Sequence, residues 1–312
     1  MIFTGDAAVV LRDIPSATVD TCITSPPYYG LRDYGVVGQI GNESTPEDYI
    51  NRLVEVFREV RRVLKDDGTL WIVIGDSYVG SGKGGGDPTI KQRNLGGSKY
   101  PRRNVLKEHK PKGLIGIPWL LAFALRSEGW YLRQDIIWHK PNAMPESVKD
   151  RCTRAHEYIF MLSKQAHYYY DHEAIKEPAV STSLKKFSDN GKDKQRGHGR
   201  RHAGFNGRYS EKLKEEGVPT KRNRRSVWSV ATRPYKEAHF AVFPQALIEP
   251  CVLASSKSGG IVLDPFAGSG TTGKVANGNN RSFIGIEINL AYVGIMRRRI
   301  DGVQIDRRLP SC

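Results

Sequence analysis

The densest chemistry in this 312-residue chain lies in seven residues, Thr24-Ser25-Pro26-Pro27-Tyr28-Tyr29-Gly30. Two consecutive prolines cannot continue a helix or donate to a sheet ladder, so they hold the backbone in one rigid extended path. The Ser25 hydroxyl and the carbonyls beside it then form a small cluster of acceptors, with the flat face of Tyr28 next to it. A planar ring carrying an exocyclic amino group suits that arrangement: acceptors for its N–H bonds and an aromatic face to stack on. The same residues also read as a proline-rich turn whose tyrosines serve packing, and this stretch alone does not choose between the two.

A second stretch adds weight to the chemical reading. Ile261-Val262-Leu263-Asp264-Pro265-Phe266-Ala267-Gly268-Ser269-Gly270-Thr271-Thr272 is an apolar strand, a Gly-rich turn and a helix start. Gly268 and Gly270 let the backbone approach a ligand closely, and the helix amino terminus they feed attracts an anionic group. A Gly-rich turn by itself is shared with dinucleotide sites. The full Asp-Pro-Phe-x-Gly-x-Gly-Thr-Thr run after a strand is more specific. Together with Ser25-Pro26-Pro27-Tyr28 it resembles the S-adenosylmethionine-dependent DNA methyltransferases that modify exocyclic amino groups. The catalytic motif precedes the cofactor motif, as in the β-type members of that family, and the resemblance covers most of the chain outside two basic stretches.

The resemblance implies a Rossmann-like α/β methyltransferase fold with permuted motif order. Its sheet would be mostly parallel with an antiparallel hairpin, interrupted by a basic loop and a target-recognition insertion. It makes Ser25, Pro26, Pro27 and Tyr28 the catalytic residues, with S-adenosylmethionine as the cofactor. Asp264, Pro265, Phe266, Gly268, Gly270 and Thr271 would bind the cofactor, and Phe240 lies in the segment expected to pack on its methionine part. Asp6 matches the acidic residue that contacts the adenine ring; it also reads as a helix cap, and the two roles are compatible. Glu287 ends the strand that follows the Gly-loop helix, where a carboxylate accepts hydrogen bonds from ribose hydroxyls. Serine at the first catalytic position favours cytosine N4 over adenine N6 as the target in this family. Two rivals remain: an RNA or small-molecule methyltransferase, and a catalytically silent DNA-binding protein on the same scaffold.

The elements that must position these residues are legible in part. Ala17 to Ile23 reads as a buried strand feeding Ser25. Thr45-Pro46-Glu47-Asp48 is a helix start, with a capping threonine, a first-turn proline and acids facing the dipole. Tyr49, Leu53, Val56, Phe57, Val60 and Leu64 follow at helical spacing as a core stripe, and Lys65-Asp66-Asp67-Gly68 ends the helix. Thr69 to Gly75 is the next buried strand. A helix over 117–127 precedes strands at 130–140 and 157–162, where Trp138, Lys140, Pro145, His156 and Glu157 match a family region that lines the target-base pocket. A helix is expected over 244–255, another over 271–278, and a strand over 283–287.

Composition narrows the remaining choices. Hydrophobic content of 39% and charged content of 26% are ordinary for a globular protein. The longest apolar run, Trp119 to Leu125, is too short to span a bilayer and no basic-then-apolar leader opens the chain, so a cytoplasmic location without membrane contact is expected. Four scattered cysteines give neither a metal pattern nor a disulfide framework. Pro250-Cys251 resembles the nucleophile dipeptide of cytosine-C5 methyltransferases, but its helical context makes Cys251 a small core residue.

The net charge of +15 is concentrated: residues 80–113 carry +7, residues 176–235 carry +10, and the rest is near neutral. Such a distribution suits a phosphate-binding face, and double-stranded DNA is the expected partner. The expected domains are a catalytic half at 1–175, a target-recognition region at 176–235 and a cofactor half at 236–312. Lys221, Arg222, Arg224 and Arg225, with Arg102 and Arg103 in the first basic stretch, are candidate DNA contacts, and Phe187, Phe205, Tyr209, Trp228 and Tyr235 are interleaved aromatics able to meet bases. A cognate restriction endonuclease system is a further possible partner. Gly80-Ser81-Gly82-Lys83 lacks the Ser or Thr that a phosphate loop needs, since Gly84 follows.

Overall fold

The computed structural model describes residues 1–31, 34–79, 110–179, 220–232 and 243–301. Phe240, Arg102 and Arg103 lie outside these, as do Phe187, Phe205, Tyr209, Tyr235 and the Gly80–Lys83 stretch. The described residues fall into two compact units. The smaller lies within His172–Arg225, and the larger is built from the chain on either side of it.

The larger unit opens with strand β1 (Ile2–Thr4), helix α1 (Ala7–Arg12) and strand β2 (Val19–Thr24), followed by α2 (Pro46–Val63) and β3 (Leu64–Ile74). Next come α3 (Ile117–Ser127), β4 (Tyr131–His139) and β5 (His156–Ser163). In the smaller unit, β6 (Glu177–Pro178) pairs antiparallel with β7 (Lys221–Arg222). The chain returns through β8 (Val227–Ser229), α4 (Gln245–Ser255), β9 (Ile261–Asp264), α5 (Thr271–Gly278), β10 (Ser282–Glu287) and α6 (Leu290–Asp301).

Eight strands form one sheet in the order β1-β10-β9-β2-β3-β5-β4-β8. Every neighbouring pair is parallel except those made by β5, which runs against both β3 and β4. This is the mostly parallel Rossmann-like sheet with a hairpin that the motif order implied. Central strands buried on both faces explain the uninterrupted Trp71-Ile72-Val73-Ile74 run, which has no alternation.

Helix α2 shows how local signals seat an element. Thr45 accepts from the Asp48 N–H at 3.1 Å, Pro46 occupies the first turn, and Arg61 and Arg62 sit in the last. Its inward face buries Tyr49, Leu53, Val56, Phe57 and Val60 completely or nearly so, each contributing about 2 kcal/mol through area removed from water.

Two expectations need correction. The chain does not pause in a turn over 65–68; β3 begins at Leu64, directly after α2. Val19 pairs with Leu64 and Thr21 with Thr69, so the intervening residues bulge out of register. The Lys65 ammonium bonds Asp20 at 2.8 Å, and Gly68 fits because a Cβ there would lie 2.9 Å from the Lys65 carbonyl. The second correction concerns Trp228, read as an aromatic able to meet bases. It lies in β8 at the sheet edge, 5% exposed, paired with Trp138. Cys251 sits in the core as its helical context indicated.

Candidate active site

From β9 the chain passes through α5 to β10 on one side, whereas from β2 it passes through α2 to β3 on the other. The strand order therefore reverses between β9 and β2, and in open α/β sheets ligands bind at the carboxyl ends of strands flanking such a point. Ser25 follows β2 and Pro265 follows β9, so both motifs emerge at this crevice.

Asp264 joins the two strand ends. Thr24 Oγ1 donates to its Oδ1 at 2.6 Å, Thr272 Oγ1 donates to Oδ2 at 2.6 Å, and the Phe266 N–H donates to Oδ1 at 3.1 Å. The residue is 1% exposed, and burial pushes its carboxyl up to about 6 against those three donors. Asp264, expected from sequence among the cofactor-binding residues, turns its carboxylate toward Thr24, Thr272 and the Phe266 N–H and so ties together the loops on either side. At the opposite end of the seam Asp20 accepts from the Ile261 N–H at 2.7 Å, so the β2–β9 pairing is stitched by side chains at both ends.

Glu287 ends β10. Its Oε2 accepts from the Gly268 N–H at 2.9 Å and its Oε1 from the Asn289 N–H at 2.8 Å. Burial raises its pKa, and these backbone donors oppose the rise. Each oxygen keeps a lone pair for a further donor. Asp6 stands one strand over, because Thr4 pairs with Glu287. Its Oδ1 caps α1 through the Ala8 and Val9 N–H groups, while Oδ2 lies 3.7 Å from Arg52. The cap is therefore present on one oxygen, and the other pairs with Arg52.

The Gly-rich turn enters α5 at Gly270 with no side chain capping the helix, which leaves first-turn N–H groups for an anionic group. Gly270 has φ +78°, and a Cβ there would lie 2.5 Å from Met296 Cγ in α6. Gly270→Ala should therefore destabilise the protein by about 2–4 kcal/mol, combining left-handed strain with overpacking. Thermal melting checks this, and an unchanged midpoint would contradict it. Thr271 is buried, and its hydroxyl accepts from Arg299 at 2.9 Å. Pro265 is buried, and Phe266 packs edge-on to Phe57 with centroids 6.5 Å apart.

On the catalytic side, Tyr49 Oη donates to the Pro27 carbonyl at 2.7 Å and fixes the diproline backbone. Tyr28 does more than present a ring: its phenol donates to Glu157 Oε2 at 2.6 Å, and Lys140 Nζ pairs with Glu157 Oε1. Trp138 donates its indole N–H to the Val230 carbonyl, and burial lowers the His156 pKa, reinforced by the nearby Arg154 charge.

The structure thus bonds Asp264 to the Phe266 N–H and Glu287 to the Gly268 N–H of the same turn, and ties Tyr28 to Glu157. In the smaller unit, Arg222 and Arg225 both donate to Glu177 Oε1, at 2.9 and 3.1 Å, while Lys221 is exposed and Arg224 half-buried. Tyr49, Thr24, Thr272, Gly75 and Arg299 went unassigned in the sequence. A legible signal existed for Tyr49, the one hydroxyl in an apolar stripe, since a buried phenol needs a partner.

Similarity to known proteins decides the family. A family model described as DNA methylase matches residues 19–298. The chain belongs to the N6/N4 DNA methylase family. Among curated members, it is 49% identical over 301 residues to the Type II methyltransferase M.Cfr9I of Citrobacter freundii, covering 96% of this chain and 87% of that one. It is 50% identical over 299 residues to the Type II methyltransferase M.SmaI of Serratia marcescens, covering 96% and 90%. Among solved structures, PvuII DNA methyltransferase (cytosine-N4-specific) shares the fold, with TM-score 0.62 at 18% identity over 99% of this chain and 87% of that one. A putative DNA modification methylase of Thermus thermophilus, solved with S-adenosyl-L-methionine, gives TM-score 0.56 at 25% identity over 96% of each chain.

The cofactor of this DNA methylase is S-adenosylmethionine. The donor set fits that molecule's chemistry: strand-end carboxylates at Glu287 and Asp6 for hydroxyl and amino groups, and an uncapped helix start at Gly270 for a carboxylate. Among the described residues no cluster of His, Cys, Asp or Glu is set to hold a metal ion, and no helix is long and apolar enough to cross a membrane.

Proposed function

We propose that the protein methylates the exocyclic N4 of cytosine within a specific sequence of duplex DNA. The observation that carries this reading is Ser25 at the head of the Pro-Pro-Tyr motif, at the carboxyl end of β2 beside the strand-order reversal. Serine there, in place of Asp or Asn, is the family's association with cytosine. When bound, S-adenosylmethionine supplies an electrophilic methyl group on a sulfonium centre.

The chain's own residues orient and polarise the acceptor. An exocyclic amino lone pair is delocalised into its ring and is a poor nucleophile. The Ser25 hydroxyl and the Pro26 carbonyl hold the two N–H bonds, favour a pyramidal nitrogen and localise that lone pair. The contribution is orientation plus preorganised electrostatics. The cytosine leaves the stack to reach the site, and the Tyr28 ring provides a face for it. Lys221, Arg222, Arg224 and Arg225, at the family's target-recognition position before the cofactor half, meet phosphates together with Arg102 and Arg103 of the first basic stretch. The Type II relatives support a cognate restriction endonuclease as the partner activity.

Incubation with S-adenosylmethionine and mixed-sequence duplex DNA, followed by nucleoside mass spectrometry, tests the reading. N4-methylcytosine is expected. N6-methyladenine would overturn the base assignment while keeping the site, and absence of any methylated nucleoside, with the cofactor bound, would overturn the reading.

A further inference from the structure

We propose that Arg299 is a positioning residue for the cofactor. It draws the Ser269 and Thr271 hydroxyls away from the start of α5, and so leaves the first N–H groups of that helix free for the carboxylate of S-adenosylmethionine. This rests on the fit of the α5 start to that carboxylate.

A serine or threonine beside a helix start ordinarily turns its oxygen onto the exposed backbone N–H groups, a cap that stabilises the helix by about 1 kcal/mol. The start of α5 has three such residues, Ser269, Thr271 and Thr272, around Gly270, which has no side chain of its own. None of the three serves as a cap. Arg299 Nη1 donates to Ser269 Oγ at 2.8 Å and to Thr271 Oγ1 at 2.9 Å, and it lies 3.4 Å from the Ser269 carbonyl oxygen. Thr272 donates instead to Asp264.

The backbone donors are left over. The Lys274 N–H reaches the Gly270 carbonyl at 3.0 Å, so the helix is closed from there on. Among the described residues no acceptor meets the N–H groups of Thr271, Thr272 or Gly273, although all three residues are buried. Buried donors without an acceptor destabilise a fold, and an anionic oxygen at the helix start offsets that cost.

The packing of α6 brings Arg299 within reach. A Cβ on Gly270 would lie 2.5 Å from Met296 Cγ and 3.1 Å from Ile300 Cδ1, and one on Gly273 would lie 2.5 Å from Ile300 Cδ1. Glycine at both positions lets α6 approach until the half-buried Arg299 touches the residues on either side of Gly270.

The test is calorimetric binding, without DNA, of S-adenosylmethionine and of its decarboxylated analogue, which keeps the adenosine, the sulfonium and the amine. The wild type should prefer the carboxylate-bearing ligand by about 10–100-fold, the size of hydrogen bonds to a charged group. Arg299→Met releases both hydroxyls to cap α5, and the carboxylate must then displace them. Its affinity for S-adenosylmethionine should fall about 5–10-fold, the scale of a helix cap, while its affinity for the analogue stays as in the wild type. Arg299→Lys keeps the charge but stops one bond short of Nη1, and should show the same selective loss. Adding Ser269→Ala and Thr271→Val to Arg299→Met removes the hydroxyls that fold back, so the preference for the carboxylate should return.

Equal losses for the two ligands in Arg299→Met would overturn the proposal and leave Arg299 a packing residue. A triple variant as weak as Arg299→Met, or wild-type binding by Arg299→Lys, would overturn it too, because either result means that the charge alone acts. If the wild type binds both ligands equally, the carboxylate sits elsewhere, and the reading beneath the proposal falls with it. Should Arg299→Met fail to fold, Arg299→Lys decides the question.

Discussion

Ser25→Ala is expected to slow methyl transfer by about 10²–10³-fold while leaving the cofactor dissociation constant unchanged, the scale seen when one preorganised polar contact to a developing charge is deleted. The separation follows from the architecture. Ser25 follows β2, whereas the Gly268 and Glu287 cluster belongs to β9, β10 and the turn between them. Thr24, not Ser25, makes the bond to Asp264, so removing the Ser25 hydroxyl leaves the joint between the strands intact. The backbone acceptors also survive, because Tyr49 still anchors the Pro27 carbonyl, and some turnover should remain. Rapid-quench kinetics and titration calorimetry on the same variant check this. Equal losses in binding and in rate would mean that Ser25 shapes the crevice and does not polarise the substrate.

Asp264→Ala should be costly in another way. It strips the acceptor from two threonine hydroxyls and one backbone N–H in a nearly sealed site. Unsatisfied buried donors cost about 1–3 kcal/mol each, so for three of them a loss of roughly 3–9 kcal/mol is expected, with cofactor affinity falling as the turn loosens. Asp264→Asn separates charge from shape. With the carboxyl raised from 3.8 to about 6, the folded chain keeps a proton that the unfolded chain has lost within that window. Folding is therefore progressively disfavoured as pH rises from about 4 to 6, and the ionised group costs about 3 kcal/mol above it. Asparagine carries no such cost. The melting temperature of the wild type relative to Asp264→Asn should thus be higher at pH 4.5 than at pH 7.5, and a pH-independent difference would contradict the account.

Much of this was legible because its signals are contiguous. Ser25 to Tyr28 and Asp264 to Thr272 are unbroken runs, and the capped, striped α2 is likewise a local pattern. What stayed hidden depends on distant partners. Nothing near Tyr28 points to Glu157, 129 residues away. Nothing near Asp264 shows that its carboxylate turns toward Thr24, 240 residues earlier. Trp228 misled because three strand residues beside Lys221-Arg222-Asn223-Arg224-Arg225 are too few to display a period, and the basic neighbours dominate the composition. The early start of β3 was hidden because Lys65-Asp66-Asp67-Gly68 has turn chemistry, while the partner of Lys65, Asp20, lies 45 residues away.

The clasp between Thr24 and Asp264 also governs when a growing chain acquires activity. At about 5–20 residues per second, a ribosome needs roughly 10–50 s to deliver the second member after the first. Throughout that interval β2 has no β9 beside it, and the substrate half and the cofactor half exist only as unjoined parts. Loop-closure entropy over such a span delays the pairing further. Competence therefore arrives in one late step, and a nascent chain holds neither a closed crevice nor a partial one.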